Sequence, residues 1–327
     1  MATPATRRRR TLPLLQGQEI VLIAVLVLLW AALSVSTDTF LTPNNIGAIL
    51  YQVAPIAIIG VGMTAVMVTA GIDVSVGSQI AVVMVVVAKM LRDFEVALPV
   101  AVIVAVLVGS ILGAVNALLI TVAKIHPIIV TFGTLNIFRW VALQIFGDQQ
   151  VDGVPGTLTV FGGSNQAMTL GIPNAFLITV LLIATGWVYM RSYAGGRHLY
   201  AIGGDAQAAR LAGVKVSRAT AGVYVLTGAC VGLAGVIMIG SGGLVQQNIG
   251  SGLELQVIAA AVIGGTSVLG GRGTVLGTLL GALLVGSVGS AVTHLGWPSE
   301  VTNLFVGACI VIAVGVDLAR QKRRARS

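Results

Sequence analysis

The sequence predicts an all-α polytopic membrane protein with about ten transmembrane helices, and three observations carry that prediction. Only 9% of the 327 residues are charged and 56% are hydrophobic, whereas a soluble domain carries about 25% charged residues to face water. The mean hydropathy is +0.99. The apolar residues also fall in runs near the ~20 residues that a helix needs to cross ~30 Å of hydrocarbon.

In chain order, a basic tail over residues 1–18 comes first and contains Arg7 to Arg10. Its "RRRRTLPLLQGQEIVLIAVLVLLW" resembles the start of a secretory signal. No small-residue cleavage site follows, so the stretch reads as an uncleaved first helix. Apolar runs lie at 19–36, 53–70, 75–91, 97–122, 127–146, 174–191, 219–240, 253–269, 273–293 and 300–318. Residues 19–318 thus form one transmembrane domain, and a second basic tail occupies 319–327. Only "AGIDVSVGS" divides the second run from the third, and only "GGTSVLGGRG" the eighth from the ninth. Asn44 and Asn45 start a short helix ahead of the second run.

Charge supplies the orientation. Ten crossings from a cytoplasmic amino terminus put both termini inside, together with the basic interval 192–218 between the sixth and seventh helices. Every basic residue except Lys89, Arg92 and Arg139 then faces the cytoplasm, as the positive-inside rule requires. The net charge of +8 is therefore a topology signal. No soluble module presents a basic face to nucleic acid.

Several chemistries are missing. Lys89, Lys124, Lys215 and Lys322 all lack the Gly-Lys-Ser/Thr context of a phosphate-binding loop, and "GGRGT" at 270–274 has no lysine. His126, His198 and His294 are too dispersed for paired metal ligation. Cys230 and Cys309 lie in separate apolar runs and form no disulfide framework. The sequence therefore predicts no catalytic residue, no metal site and no cofactor bound by this chain. Charges inside spans, which usually mark function, are few. Arg139 either bonds to a backbone carbonyl or lines a pathway.

Two polar stretches remain. In "GGDAQAARLAG", Asp205 is a good helix N-cap, the alanines favour helix, and Gly213 can close the segment in the left-handed conformation. The resulting two turns span only ~10 Å. They form either a connecting loop or a rigid plug that docks into another protein. In "GIDVSVGS", Gly71 and Gly77 permit irregular backbone, which lipid tolerates only inside protein or beside a wet cavity. Asp73, Ser75 and Ser78 then either line a polar path or cap the third helix. Glycine pairs four apart (Gly109/Gly113, Gly228/Gly232, Gly277/Gly281) let helices approach closely, within one chain or between subunits.

"GRHLYAIGGDAQAARLAGV" resembles the coupling segment of permease subunits in ribose- and xylose-type ABC sugar importers. "FLTPNNIGAIL", "VGMTAVMVTAGIDVSVGSQIA", "HPIIVTFGTLNIFRW" and "LELQVIAAAVIGGTSVLGGRGTVLGTLLGALLVG" resemble further blocks of that family, in order, over about residues 40–320. The resemblance implies a non-enzymatic transport subunit in the bacterial cytoplasmic membrane that moves a monosaccharide. A second permease copy, a cytoplasmic ATPase using ATP and Mg, and an extracytoplasmic sugar-binding protein are the implied partners. It places ATPase coupling at Gly203, Gly204, Asp205, Ala208, Ala209, Arg210, Leu211 and Gly213. The pathway or gate would use Asn44, Asn45, Gly71, Asp73, Ser75, Gly77, Ser78, Asn136, Arg139, Glu254, Thr266 and Ser267. The chain departs from the family at Gln256, where an acidic residue is usual, and at Asp205, where asparagine is common. A nucleoside or furanosyl signal molecule is an alternative cargo, and an ion-coupled carrier is an alternative machine.

Overall fold

A computed structural model describes residues 17–147, 150–162, 167–240 and 243–324. The amino-terminal arginines Arg7 to Arg10 lie outside the described residues. Twelve α-helices carry the fold: α1 (Gly17–Ser36), α2 (Pro43–Val68), α3 (Val76–Phe94), α4 (Leu98–Thr121), α5 (Pro127–Phe146), α6 (Asn174–Ser192), α7 (Ala194–Gly204), α8 (Ala206–Leu211), α9 (Val216–Ile239), α10 (Leu253–Ile263), α11 (Val275–His294) and α12 (Glu300–Arg324). A two-residue antiparallel pairing of Met168–Thr169 with Ile172–Pro173 precedes α6.

Each apolar run contains a helix, but among the described residues seven helices, not ten, are long and apolar enough to cross a membrane: α1, α2, α4, α5, α6, α9 and α11. Two of the three failures, α3 and α10, have distinct physical causes. Lys89, Arg92 and Asp93 crowd the last turns of α3, and a charge at hydrocarbon depth is costly. α10 has 11 residues and rises only ~16 Å. In α12 the described residues Glu300–Ile312 form a shorter apolar helix. The 192–218 interval consequently lies between the fifth and sixth crossing helices, not the sixth and seventh. The count of ten, on which two cytoplasmic termini rested, is thereby withdrawn.

α2 is the central helix. Thr42 caps it, accepting from the Asn45 amide at 3.4 Å, and Pro43 sits where its missing N–H costs nothing. Asn44 and Asn45 therefore belong to one continuous helix instead of a separate short one. From Val53 to Val68 every residue of α2 is buried, because α6, α9, α10 and α11 surround it. Small residues bring these neighbours in. A Cβ at Gly62 would meet the Thr227 backbone at 2.6 Å, and the Thr64 and Thr278 hydroxyls bond at 2.6 Å between α2 and α11.

The glycine pairs seen in the sequence pack within this one chain. A Cβ at Gly109 would lie 2.1 Å from the Gly228 carbonyl oxygen, and one at Gly232 would lie 2.3 Å from that of Ala105. α4 and α9 thus cross backbone to backbone. Gly277 and Gly281 play the same part between α11 and α10, against Gly264 and Ala260.

Candidate functional site

Three groups of residues concentrate the polar chemistry of the bundle. The first surrounds Asp73, in the break between α2 and α3. Its Oδ1 accepts from the Ser75 amide at 3.0 Å and hydroxyl at 2.6 Å, and its Oδ2 accepts from Gln79 Nε2 at 3.1 Å. Asn116 of α4 donates to Ser75 Oγ at 2.8 Å, and its own Oδ1 accepts from Thr134 of α5 at 2.7 Å. Asp73, Ser75, Ser78, Gln79 and Asn116 are all buried. This network ties the break to α4 and α5; Ser75, not Asp73, occupies the N-cap position of α3. Gly71 stands beside it, where a Cβ would fall 2.6 Å from the Tyr224 hydroxyl. Tyr224 Oη and Gln79 Oε1 are buried without a hydrogen-bond partner.

The second group is a half-buried clasp between α5, the start of α3 and the loop before α10. Arg139 of α5 donates from Nη1 to the Ile249 carbonyl at 2.8 Å and from Nη2 to the Gly77 carbonyl at 3.2 Å. A Cβ at Gly77 would collide with Glu254 Oε2 and, at 2.5 Å, with the Gly250 carbonyl oxygen. Arg139 thereby holds the start of α3 against the loop that leads into α10, with Glu254 within electrostatic range. A half-buried guanidinium is stable there because fixed carbonyl dipoles replace its water.

Next to this clasp lies a cavity of about 350 Å³, within the usual size range of small-molecule sites. Tyr51, Gln52, Gln256 and Thr302 are its polar lining, and Ile249 and Leu253 join it to the clasp. Pro55 also borders it and removes one rung from the α2 hydrogen-bond ladder. Tyr51 donates its hydroxyl to the Ile237 carbonyl at 2.7 Å. The sequence reading missed this polar lining as a group. Its members sit on three different helices, α2, α10 and α12, so no local motif unites them.

The third group is the 192–218 segment. Asp205 caps α8, its Oδ1 accepting from the Gln207 and Ala208 amides at 2.8 and 3.0 Å, and Gly213 closes the turn at φ +86°. α7 was not foreseen, because Gly195, Gly196, Gly203 and Gly204 weaken helix propensity. Two of those glycines mark backbone contacts: a Cβ at Gly196 would strike the Met190 backbone at 2.4 Å, and one at Gly203 the Val68 carbonyl oxygen at 1.8 Å and the Gly271 nitrogen at 2.4 Å. Gly271 in turn donates to the Val68 carbonyl at 2.9 Å. Tyr200 donates to the Gly273 carbonyl at 2.8 Å, and burial raises its phenol above the ordinary value.

The residues singled out from the sequence therefore separate. Gly71, Asp73, Ser75 and Ser78 share the buried break; Gly77, Arg139 and Glu254 share the clasp. Asn45 accepts from Ser290 at 2.9 Å and donates to the Phe40 carbonyl at 2.7 Å, tying α2 to α11, while Asn44 is exposed. Asn136 is exposed on α5 and bonds its own helix at Phe132. Thr266 and Ser267 lie in the loop between α10 and α11, where Ser267 donates its amide to the Arg272 carbonyl at 2.9 Å. That loop packs on Gly203, so these two residues adjoin the α7 contact and not the cavity. On α8, Ala209 is 5% exposed and Leu211 is 85% exposed; Ala208 and Arg210 are also exposed.

Residues 45–314 match the family described as branched-chain amino acid transport system / permease component. The ribose import permease RbsC of Escherichia coli K12 is 35% identical over 301 residues, covering 92% of this chain and 93% of that protein. RbsC of Bacillus subtilis 168 is 38% identical over 292 residues, covering 89% and 90%. The fructose import permease FrcC of Rhizobium meliloti is 34% identical over 287 residues, covering 85% and 79%. No solved structure matches. With the crossing helices and the family match together, the chain belongs to this permease family and is a transport subunit, not an enzyme.

Proposed function

We propose that this permease subunit of a bacterial inner-membrane ABC importer carries a monosaccharide of the ribose, xylose or galactose kind, driven through α7 and α8 by a separate ATPase. The observation that carries this reading is the seating of Gly203 on both the Val68 end of α2 and the loop between α10 and α11. Tyr51 lies 17 residues before Val68 on α2, ~25 Å along a helix. A push on α7 therefore reaches the cavity through one rigid rod. α11 offers a second rod, from the 264–274 loop to Gly286 and Gly289 at the cavity.

Arg191, Arg197, Arg210, Lys215 and Arg218 lie in or beside α7 and α8, and Arg272 lies in the loop that packs on Gly203; the positive-inside rule assigns this basic end to the cytoplasm. The ATPase then meets the exposed face of α8, at Ala208, Arg210 and Leu211. Closure of the ATPase pair drives the levers of two permease copies together and rocks the bundle between outward and inward access. Breaking the Arg139 clasp opens the inner side of the cavity. A polyol needs only hydroxyls and amides such as those of Tyr51, Gln52, Gln256 and Thr302, and an external binding protein supplies the affinity.

Uptake by proteoliposomes holding the permease and its ATPase, with the binding protein outside, tests the reading. We expect ribose, xylose or galactose uptake that requires internal ATP and survives collapse of the ion gradients. Uptake that follows an ion gradient without ATP overturns it, and nucleoside uptake with no sugar uptake reassigns the cargo.

A further inference from the structure

α6 and α9 both pack on α2 but barely touch each other, which leaves a slot between them of about 540 Å³. Val61 and Ala65 of α2 form its floor, with Leu182 and Leu226 among its walls. It runs along α9 from Arg218 at the rim to Cys230 at the deep end. Those twelve residues rise ~18 Å, close to one leaflet of a ~30 Å hydrocarbon core. Apart from Thr185, whose hydroxyl donates to the Leu182 carbonyl at 2.9 Å, the interior is apolar, while His198 and the exposed Arg218 stand at one end.

That end carries the marks of the headgroup level. Tyr189 and Tyr193 stack with ring centroids 5.8 Å apart, and the Arg191 guanidinium lies 4.9 Å from the centre of the Trp187 ring. Aromatic residues with basic neighbours gather at membrane interfaces. We propose that the slot holds one acyl chain of an anionic glycerophospholipid, with the lipid phosphate against Arg218 and His198. Charge complementarity selects this occupant: a zwitterionic lipid carries its own cation to the rim, and basic pockets between helices suit anionic headgroups. A lipid seated between α6 and α9, beside α7, would steady the lever against α2.

Native mass spectrometry of the full chain in detergent, titrated with dioleoyl phosphatidylglycerol or dioleoyl phosphatidylcholine, tests the site. The expected result is one phosphatidylglycerol retained per chain in preference to phosphatidylcholine. Arg218→Gln on the exposed rim should weaken phosphatidylglycerol retention about fivefold, the share of one basic residue at a membrane surface. Gly222 lines the slot, and a Cβ there meets nothing within 4 Å, so Gly222→Phe should fill the slot and abolish retention at unchanged Tm. Equal retention of the two lipids, or retention indifferent to both substitutions, overturns the proposal. Loss of a dimer in Gly222→Phe with lipid retention intact also overturns it, and assigns the face to a second copy.

Discussion

Asp73 sets the residue-scale chemistry of the break. Its carboxylate is the shared acceptor for Ser75, Gln79 and, through Ser75, Asn116. Asp73→Ala leaves those buried donors unmatched, at about 1–3 kcal/mol for each group, and should lower Tm in detergent and uptake together. An unchanged Tm would mean that the network does not brace the break. Gly71→Ala should act in the same direction by pressing on Tyr224. Asp73 and Asp205 were legible from sequence because a short acid beside glycine is rare in apolar runs. Tyr224, Gln79 and Asn116 were not, since each sits in an ordinary helical context and meets Asp73 only in three dimensions.

Elements divide by what their glycines touch. At the α4–α9 crossing, Gly228→Ala puts a Cβ 2.0 Å from the Gly109 carbonyl oxygen, and overpacking of this kind costs about 1–3 kcal/mol. Gly133→Ala on α5 meets nothing within 4 Å and should hold or raise stability by up to ~1 kcal/mol. Thermal unfolding of the two variants checks the contrast, and equal effects would contradict the crossing geometry. On α8 the two faces give opposite expectations. Leu211→Glu should abolish co-purification of the ATPase at unchanged Tm, whereas Ala209→Trp should lower Tm by unseating α8 from its own chain. Docking untouched by Leu211→Glu would move the contact elsewhere. The capped turn of α8 was readable from Asp205 and the alanines. α7 was hidden because its glycines serve contacts with partners far away in sequence.

At the scale of the whole molecule, an apolar composition identified the bilayer as solvent, and every apolar run contains a helix. Counting crossings was harder, because hydropathy reports that a segment is buried, not what buries it. α10 is apolar since α2, α11 and α12 enclose it, so its burial is by protein, and it is too short to span lipid. The cavity was invisible for a related reason: Tyr51, Gln52, Gln256 and Thr302 come together only when α2, α10 and α12 assemble. If this cavity is the way station, Gln256→Ala should cut sugar uptake about tenfold or less, the value of one hydrogen bond, while sugar-independent ATPase activity stays constant. Loss of ATPase activity in that variant would place Gln256 in the lever and not in the path.

The lever itself is tested most directly by Gly203→Ala in proteoliposomes that report ATP hydrolysis and sugar uptake from the same sample. A methyl group there cannot fit against the Val68 carbonyl, so α7 must lift from α2 while the exposed face of α8 is left intact. The account predicts that the ATPase still binds and hydrolyses ATP but that uptake falls to background. Uptake tracking hydrolysis as in the parent protein would contradict it.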